Sequence, residues 1–150
     1  MISDTARAHG SFFVSLFEIL NKPILVERMS QYGSGYYLIQ STAPIFIKHS
    51  SKRRGPWTFN FNRSHQEIQQ KLYDAYGECH TCLVCGKDGV AGLNMTELRN
   101  VLDRNFEEQE IVTVKRKLNK MYSISGRDGS LETRISRRSV FEKLNEQFGQ

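Results

Sequence analysis

The chain has 150 residues and a formal net charge of +5, from 21 Lys and Arg against 16 Asp and Glu. A chain of this length suits one domain without disulfides or metal, because it buries about two-thirds of its unfolded surface. No apolar run approaches the roughly 20 residues of a membrane span, and no signal-peptide layout is present, so we expect a cytoplasmic protein. Contact with a polyanion is electrostatically easy for such a basic chain.

The first part of the chain predicts a helix followed by three strands. Ser3 or Asp4 can cap a helix whose apolar residues recur every three or four positions until Pro23 stops it. Short apolar runs, separated by turns at residues 33–35 and 43–44, then predict three strands. These strands cover residues 24–29, 36–40 and 45–49. Short turns between consecutive strands indicate an antiparallel meander.

The second part predicts two capped helices, a basic hairpin from about residue 111 and a helical tail. Ser64 with Glu67, and Asn94 with Glu97, have the spacing of capping boxes, in which each side chain satisfies a free backbone N–H. Strands are predicted at residues 81–85, 90–93, 111–117, 122–125 and 131–135. The whole order predicts a single α+β domain, with a mixed or antiparallel sheet flanked by helices.

Three cysteines lie close together, at Cys79, Cys82 and Cys85, with His80 among them. Thiolates and imidazoles are the ligands of structural zinc sites. In a strand, however, positions three apart point to opposite faces, so Cys82 faces away from the other two, and no second cysteine pair follows. We therefore interpret the cysteines as buried apolar residues in a reducing compartment.

Residues 43–66 carry the strongest functional signal. Between Glu27 and Glu67 the chain has no Asp or Glu, and an apolar strand delivers Lys48 to a basic turn. Cations beside an exposed aromatic ring suit nucleic acid, because Lys and Arg neutralise phosphates and rings stack on bases. The predicted contacts in this segment are Lys48, Lys52, Arg53, Arg54, Trp57 and Arg63.

A second basic region lies in the predicted hairpin. Residues 111–138 contain eight Lys and Arg, whereas their acids are Asp128 and Glu132. We assign further nucleic-acid contacts to Lys115, Arg116 and Lys117. The two basic regions either form one continuous groove or lie on opposite faces, and the first arrangement favours a nucleic-acid surface.

The alternative to a nucleic-acid surface is structural. Trp57, Phe59 and Phe61 stand at every second position, as is typical of a strand with one buried face. The neighbouring Lys and Arg would then simply solvate the turn. Exposure of Trp57 separates the two interpretations, because a base can stack only on an exposed ring.

The order of a helix, three strands and a second helix, with Lys48 at the end of the third strand, resembles the core of the PD-(D/E)xK restriction-endonuclease-like families. In those families an acid on the second strand and an acid two residues before the lysine hold a divalent metal, and the lysine positions or activates the attacking water. Only Lys48 matches, because the preceding acid position is Phe46 and residues 36–40 contain no carboxylate. The resemblance implies a degenerate nuclease-like core. An active nuclease would use Lys48 and Mg²⁺.

A second resemblance covers about half of the chain. The pattern I-K-x-S-x-K-R-x-x-P-W-T-F-x-F, from Ile47 to Phe61, is followed by His65-Gln66 and by V-C-G-x-D-G-V at residues 84–90. This combination resembles a group of small, largely uncharacterised bacterial proteins. The resemblance implies a bacterial or phage source and a cytoplasmic setting, and it implies no activity.

Together these features predict a nucleic-acid-binding protein without catalysis of its own, in bacterial defence or repair. The alternative is a phage or host regulator that docks on a nucleic-acid-processing complex through the same positive surface. A metal-dependent nuclease is the third hypothesis; otherwise we predict no cofactor and no metal site. The predicted partners are DNA, RNA or such a complex, and no membrane.

Overall fold

The computed structural model describes residues 1–149, which form four α-helices and nine strands in two sheets. The elements are α1 (Asp4–Leu20), β1 (Val26–Arg28), a 3-10 turn (Ser30–Tyr32), β2 (Tyr36–Ile39), β3 (Ala43–Ser50), β4 (Trp57–Asn62), α2 (Arg63–Tyr76), β5 (His80–Cys85), β6 (Gly89–Leu93), α3 (Met95–Val101), β7 (Gln109–Lys115), β8 (Ser123–Gly126), β9 (Gly129–Ser130) and α4 (Ser139–Phe148). The predicted α+β domain, with mixed and antiparallel sheets flanked by helices, is confirmed.

A mixed sheet has the strand order β1-β2-β3-β5-β6. Strands β1, β2 and β3 are antiparallel neighbours, which confirms the predicted meander. Strand β5 runs parallel to β3, because β4 and α2 return the chain to the same end of the sheet before β5 begins. The carboxyl ends of these two strands therefore meet at one edge, where Ser50 is paired with Cys85.

The mixed sheet separates two hydrophobic cores, because successive residues of a strand point to opposite faces. In β3, Ile47 packs into the core under α1 and α4, whereas Phe46 packs into the core formed with β4, α2 and α3. The cysteines divide in the same way: Cys82 belongs to the first core, and Cys79 and Cys85 belong to the second. All three are free and buried, which confirms their interpretation as core residues.

The second sheet is antiparallel and has the order β4-β7-β8-β9. Along β4, Trp57, Phe59 and Phe61 are buried, whereas Thr58 and Asn60 are exposed. The aromatic alternation is thus explained by one buried strand face. This sheet covers the second core from the side opposite the mixed sheet.

The start of α2 differs from the prediction. The helix is capped by Asn62, whose side chain accepts from His65 N at 2.8 Å, while His65 Nδ1 accepts from Asn62 N at 3.3 Å. The predicted box of Ser64 and Glu67 is wrong, because β4 already ends at Asn62 and the amide side chain reaches the first turn. The capping box predicted for α3 is confirmed.

The predicted strand at residues 131–135 is also wrong. The backbone of this segment is paired only at its two ends: Leu131 N donates to Ile124 O of β8, and Ile135 forms an isolated bridge with Tyr122, just before β8. The helical tail is confirmed as α4. None of the helices in residues 1–149 combines enough length with enough apolar character to cross a lipid bilayer.

Candidate nucleic-acid interface

The basic turn, residues 51–56, leaves β3 at the carboxyl edge of the parallel strand pair. Two hydrogen bonds hold it there: Gly86 N donates to Ser50 O at 2.8 Å, and Trp57 Nε1 donates to Lys52 O at 2.9 Å. Gly86 has a φ of +53°, and a side chain at this position would overlap the Lys52 carbonyl oxygen. The basic turn is thus anchored by its backbone while residues 51–56 remain exposed.

A cleft of about 720 Å³, which we call the α1 cleft, opens on one side of the basic turn. Three different elements each contribute a cation to it: Arg7 from α1, Arg53 from the basic turn and Lys87 from the turn between β5 and β6. Ala8 and Val84, both buried, supply apolar lining. The polar lining also includes Ser11, His49, Ser50 and Ser51.

The carboxylate in the α1 cleft belongs to Asp4, which accepts a hydrogen bond from Ser51 Oγ at 3.2 Å. This contact joins the first turn of α1 to the basic turn. The three cations of the cleft therefore face one carboxylate, and the cleft keeps a positive excess. A concave surface with one sign of charge concentrates the field and attracts anions.

A second hollow, the hairpin groove, also borders the basic turn and has a volume of about 300 Å³. It is bordered by Gly55 and Pro56 of the turn and by four cations of the C-terminal region, Lys115, Arg116, Lys117 and Arg134. The cations of the two sequence regions therefore adjoin the same turn.

Arg116, predicted to contact nucleic acid, forms an internal ion pair at the border of the hairpin groove. Its Nε and Nη2 atoms donate to the two carboxylate oxygens of Asp88 at 2.8 and 2.5 Å. The hydroxyl of Tyr122 donates to the same carboxylate at 2.7 Å. These hydrogen bonds, chiefly that from Arg116, hold the pKa of Asp88 below its usual range. The pair fastens the turn between β5 and β6 to the second sheet.

Trp57 does not provide the stacking face that its predicted role requires. Its side chain is 3% exposed, and its ring packs edge-on against Tyr122 with the centroids 6.2 Å apart. The prediction that Trp57 contacts a base is therefore wrong. Its ring lies in the hydrophobic core, and its Nε1 atom holds the basic turn by donating to Lys52 O.

Lys48 points away from the α1 cleft, because its neighbour His49 occupies the face of β3 that lines the cleft. The Lys48 ammonium is half-buried and lies 5.5 and 5.4 Å from the ring centroids of Phe46 and Phe61. Burial lowers its pKa. Lys48 forms no salt bridge with any residue of the described range 1–149.

Arg63 is also separated from the basic turn. It is exposed at the start of α2, beyond the end of β4, and a six-residue strand spans about 17 Å. The predicted contacts that the structure brings together around the basic turn are therefore Lys52, Arg53, Arg54, Lys115, Arg116 and Lys117, of which Arg116 is also paired with Asp88. The other three, Lys48, Trp57 and Arg63, lie elsewhere or have internal roles.

Sequence reasoning missed three residues of the α1 cleft: Arg7, His49 and Lys87. Arg7 lies far from the basic turn in the chain, and Lys87 is a single cation in the short connection between two apolar strands. A signal did exist for His49 and Lys87, because both stand at or just after the end of an apolar strand. Parallel pairing of those strands would have placed them at one edge.

Behind the α1 cleft, His49 contacts His9 with their ring centroids 6.3 Å apart. His9 Nδ1 lies 2.8 Å from the hydroxyl of Tyr37. The pKa of His9 is lowered, first by burial and then by its electrostatic interactions with His49 and Arg28. His9 therefore supports the cleft wall as a neutral, hydrogen-bonded ring.

Among residues 1–149, no group of three or more His, Cys, Asp or Glu side chains has an arrangement that could hold a metal ion. Comparison of the chain with known protein families, with curated proteins and with solved structures gives no match. Both resemblances noted from the sequence therefore stay predictions.

Proposed function

We propose that the protein binds nucleic acid through a basic face made of the α1 cleft, the basic turn and the hairpin groove. The observation that carries this proposal is the adjacency of cations from distant parts of the chain around one exposed turn. Convergence of this kind suits a polyanion, because each Lys or Arg that neutralises a phosphate releases a counterion. The basic face comprises Arg7, Lys52, Arg53, Arg54, Lys87, Lys115, Lys117 and Arg134.

The nearby carboxylates leave this charge largely uncompensated. Asp88 is paired with Arg116, and Asp4 accepts from Ser51. Arg53 and Arg54 form no salt bridge with a residue in the described part of the chain. The basic face therefore presents exposed cations without a carboxylate partner among the described residues, which supports binding of an external anion.

In the proposed complex, the cations of the basic face contact the phosphate backbone of the nucleic acid. Trp57 is buried, so base stacking by this ring does not contribute. Phosphate contacts fix position and supply affinity, but they carry no sequence information. We therefore expect binding that varies little with sequence and weakens steeply with salt. In this proposal the chain has no catalysis of its own and acts in bacterial defence or repair.

The test replaces Lys52, Arg53 and Arg54 together by Gln. Each phosphate contact contributes about 0.9 to the slope of log affinity against log salt for duplex DNA, and about 0.7 for a single strand. The triple variant should lower the slope by roughly two units and weaken binding to DNA and RNA, measured by fluorescence anisotropy over a salt series.

A matched control replaces Lys71, Arg104 and Arg127 by Gln. These residues are exposed, belong to neither hollow, and carry the same total charge as the turn triplet. The control should keep the wild-type slope. Equal binding by the wild type and the turn variant would remove the basic turn from the interface.

A second candidate function is docking on a nucleic-acid-processing protein complex. The observation that favours it is the pair of apolar side chains at the tip of the basic hairpin, where Leu118 is 82% and Met121 is 45% exposed. Exposed apolar residues among cations are typical of protein interfaces. Pull-down from a bacterial lysate separates the candidates: a partner retained after nuclease treatment favours docking, and loss of every partner favours nucleic acid.

A further inference from the structure

The α1 cleft differs from the rest of the basic face because it is a hollow at the carboxyl edge of two parallel strands. Strand β3 leaves this edge toward the second sheet, whereas β5 turns back into β6. In open sheets with parallel strands, ligands bind in the crevice outside the carboxyl ends where neighbouring connections diverge. Its volume of about 720 Å³ lies within the range typical of small-ligand sites.

The charges in this cleft suit a phosphate group with more than one negative charge. Arg7, Arg53 and Lys87 come from three separate elements and line one hollow. A phosphodiester within a strand carries one negative charge, whereas a phosphate monoester carries about −1.5 to −2 at pH 7 and offers three terminal oxygens. Convergent cations therefore favour a terminal phosphate over one inside a strand.

The remaining lining suits the nucleoside next to that phosphate. Ala8 and Val84 provide buried apolar surface, and His49 and Ser50 provide polar groups. Asp4 and Ser51 join the two walls by a hydrogen bond, and the Asp4 carboxylate repels a further phosphate at that side. This arrangement favours a chain end over a strand that passes through.

We infer that the α1 cleft binds the phosphorylated end of a nucleic-acid strand, with the terminal phosphate on Arg7, Arg53 and Lys87 and the terminal nucleoside against Ala8 and Val84. This inference rests on the proposed nucleic-acid function and names its ligand class as a nucleotide phosphomonoester. A free mononucleotide has the same chemistry, and the experiment distinguishes it from a strand end.

The experiment compares three oligonucleotides of one sequence, with a 5′-phosphate, with a 3′-phosphate and with neither. Binding is measured for the wild type, for Arg7→Gln/Lys87→Gln in the cleft and for Lys115→Gln/Lys117→Gln in the hairpin groove. Both double variants remove two exposed cations, so they lower the net charge equally. Circular dichroism and thermal unfolding verify that each variant is folded.

We expect the wild type to bind one phosphorylated form about tenfold more tightly than the unphosphorylated oligonucleotide, because a doubly charged end gains charge-assisted hydrogen bonds. The cleft variant should lose this preference, and the hairpin variant should keep it. Equal binding of all three oligonucleotides by the wild type overturns the inference. Retention of the preference in the folded cleft variant overturns it as well.

Competition with adenosine 5′- or 3′-monophosphate tests whether the α1 cleft also recognises a free mononucleotide. Displacement of the phosphorylated oligonucleotide by a monophosphate, but not by adenosine, supports recognition of the nucleotide itself. Failure of every oligonucleotide to bind would reject the proposed function instead. In that case, NMR shifts of the His9 and His49 ring protons on addition of a monophosphate would still support the cleft, and their absence would overturn it.

Discussion

The two ends of the parallel strands β3 and β5 use charge in different ways. At the carboxyl end, the cations of the basic face are exposed around a turn. At the amino end, carboxylates bind groups of the chain itself: Glu78 accepts from two main-chain amides at 2.8 and 3.0 Å, and Glu97 accepts from the Lys143 ammonium at 3.0 Å. Charges with internal partners stabilise the fold, whereas Arg53 and Arg54 are exposed and form no salt bridge within the described residues.

Glu110 shows how far the two ends differ. It lies near the end of β4 that is remote from the basic turn, paired with Phe61, and it is 2% exposed. Neither of its carboxylate oxygens accepts a hydrogen bond from the residues that the structure describes. Burial raises the pKa of this carboxyl. One end of the molecule thus exposes charge, and the other buries a carboxyl whose neutral form is favoured more than in an exposed glutamate.

The largest expected effect on stability comes from Trp57→Ala, which removes the side chain that joins the hydrophobic core to the basic turn. Removing a buried Trp costs about 3–5 kcal/mol of the free energy of unfolding, and the hydrogen bond to Lys52 O is lost as well. Urea unfolding measures the loss. Thr58→Ala, at an exposed position on the same strand, should change stability by less than about 0.5 kcal/mol.

The single tryptophan also gives a direct optical readout of its position. Because Trp57 is buried, its emission should stay at short wavelength and should not be quenched when nucleic acid binds the basic face. Strong quenching on binding, with folded protein, would contradict the placement of Trp57 away from the ligand.

A smaller effect is expected from Asp88→Asn, which leaves the Arg116 guanidinium without its charge partner. Stability should fall at neutral pH, by less than for Trp57→Ala. Because the pKa of Asp88 is lowered in the folded state, its contribution is present above the unfolded aspartate pKa of about 3.9 and is lost as pH falls through the folded pKa. The difference between variant and wild type should therefore vanish in strong acid.

Thermal unfolding at a series of pH values measures this difference. Asp74→Asn is the matched control, since Asp74 is exposed and accepts only from Gln70 within the described residues. If the two variants have the same pH profile, the Asp88 pair does not fasten the turn between β5 and β6.

The smallest effect on stability is expected from Glu110→Gln, and it is a gain rather than a loss. Because the pKa of Glu110 is raised in the folded state, its neutral form contributes to the stability of the fold. This contribution is fully present below the unfolded glutamate pKa of about 4.3 and is lost as pH rises through the folded pKa. Gln cannot ionise, so the variant should be more stable than the wild type at neutral pH by about 1 kcal/mol.

Urea unfolding at neutral and acidic pH checks the result, with Glu108→Gln at an exposed neighbouring position as control. A loss of stability at neutral pH in Glu110→Gln would show that the ionised carboxylate has a stabilising partner.

Much of the local structure could be predicted from the sequence, because it depends on interactions within a few residues. Short-range geometry determines the helix cap at Ser3 and the capping box of Asn94 and Glu97. It also determines the alternation of buried and exposed residues along β4. The cap of α2 was misplaced because Asn62 competes with Ser64 for the same helix start, and the end of β4 decided between them.

The candidate site was predicted only in part. The basic turn was identified because Lys52, Arg53 and Arg54 are adjacent in the chain and no acid accompanies them. The ion pair of Arg116 was not predicted because its partner, Asp88, is 28 residues away in the chain. Lys48 was assigned to the interface although the twofold repeat of β3 turns it away from the cleft.

The amino-acid sequence alone determined the α+β order, the burial of the cysteines and the positive charge of the turn after β3, since periodicity and composition encode these directly. Only the tertiary structure decided that β3 and β5 are parallel, that Arg7 and Lys87 join Arg53, and that Trp57 belongs to the core. These outcomes depend on which distant strands pair and which face each side chain takes, and a local pattern does not specify either.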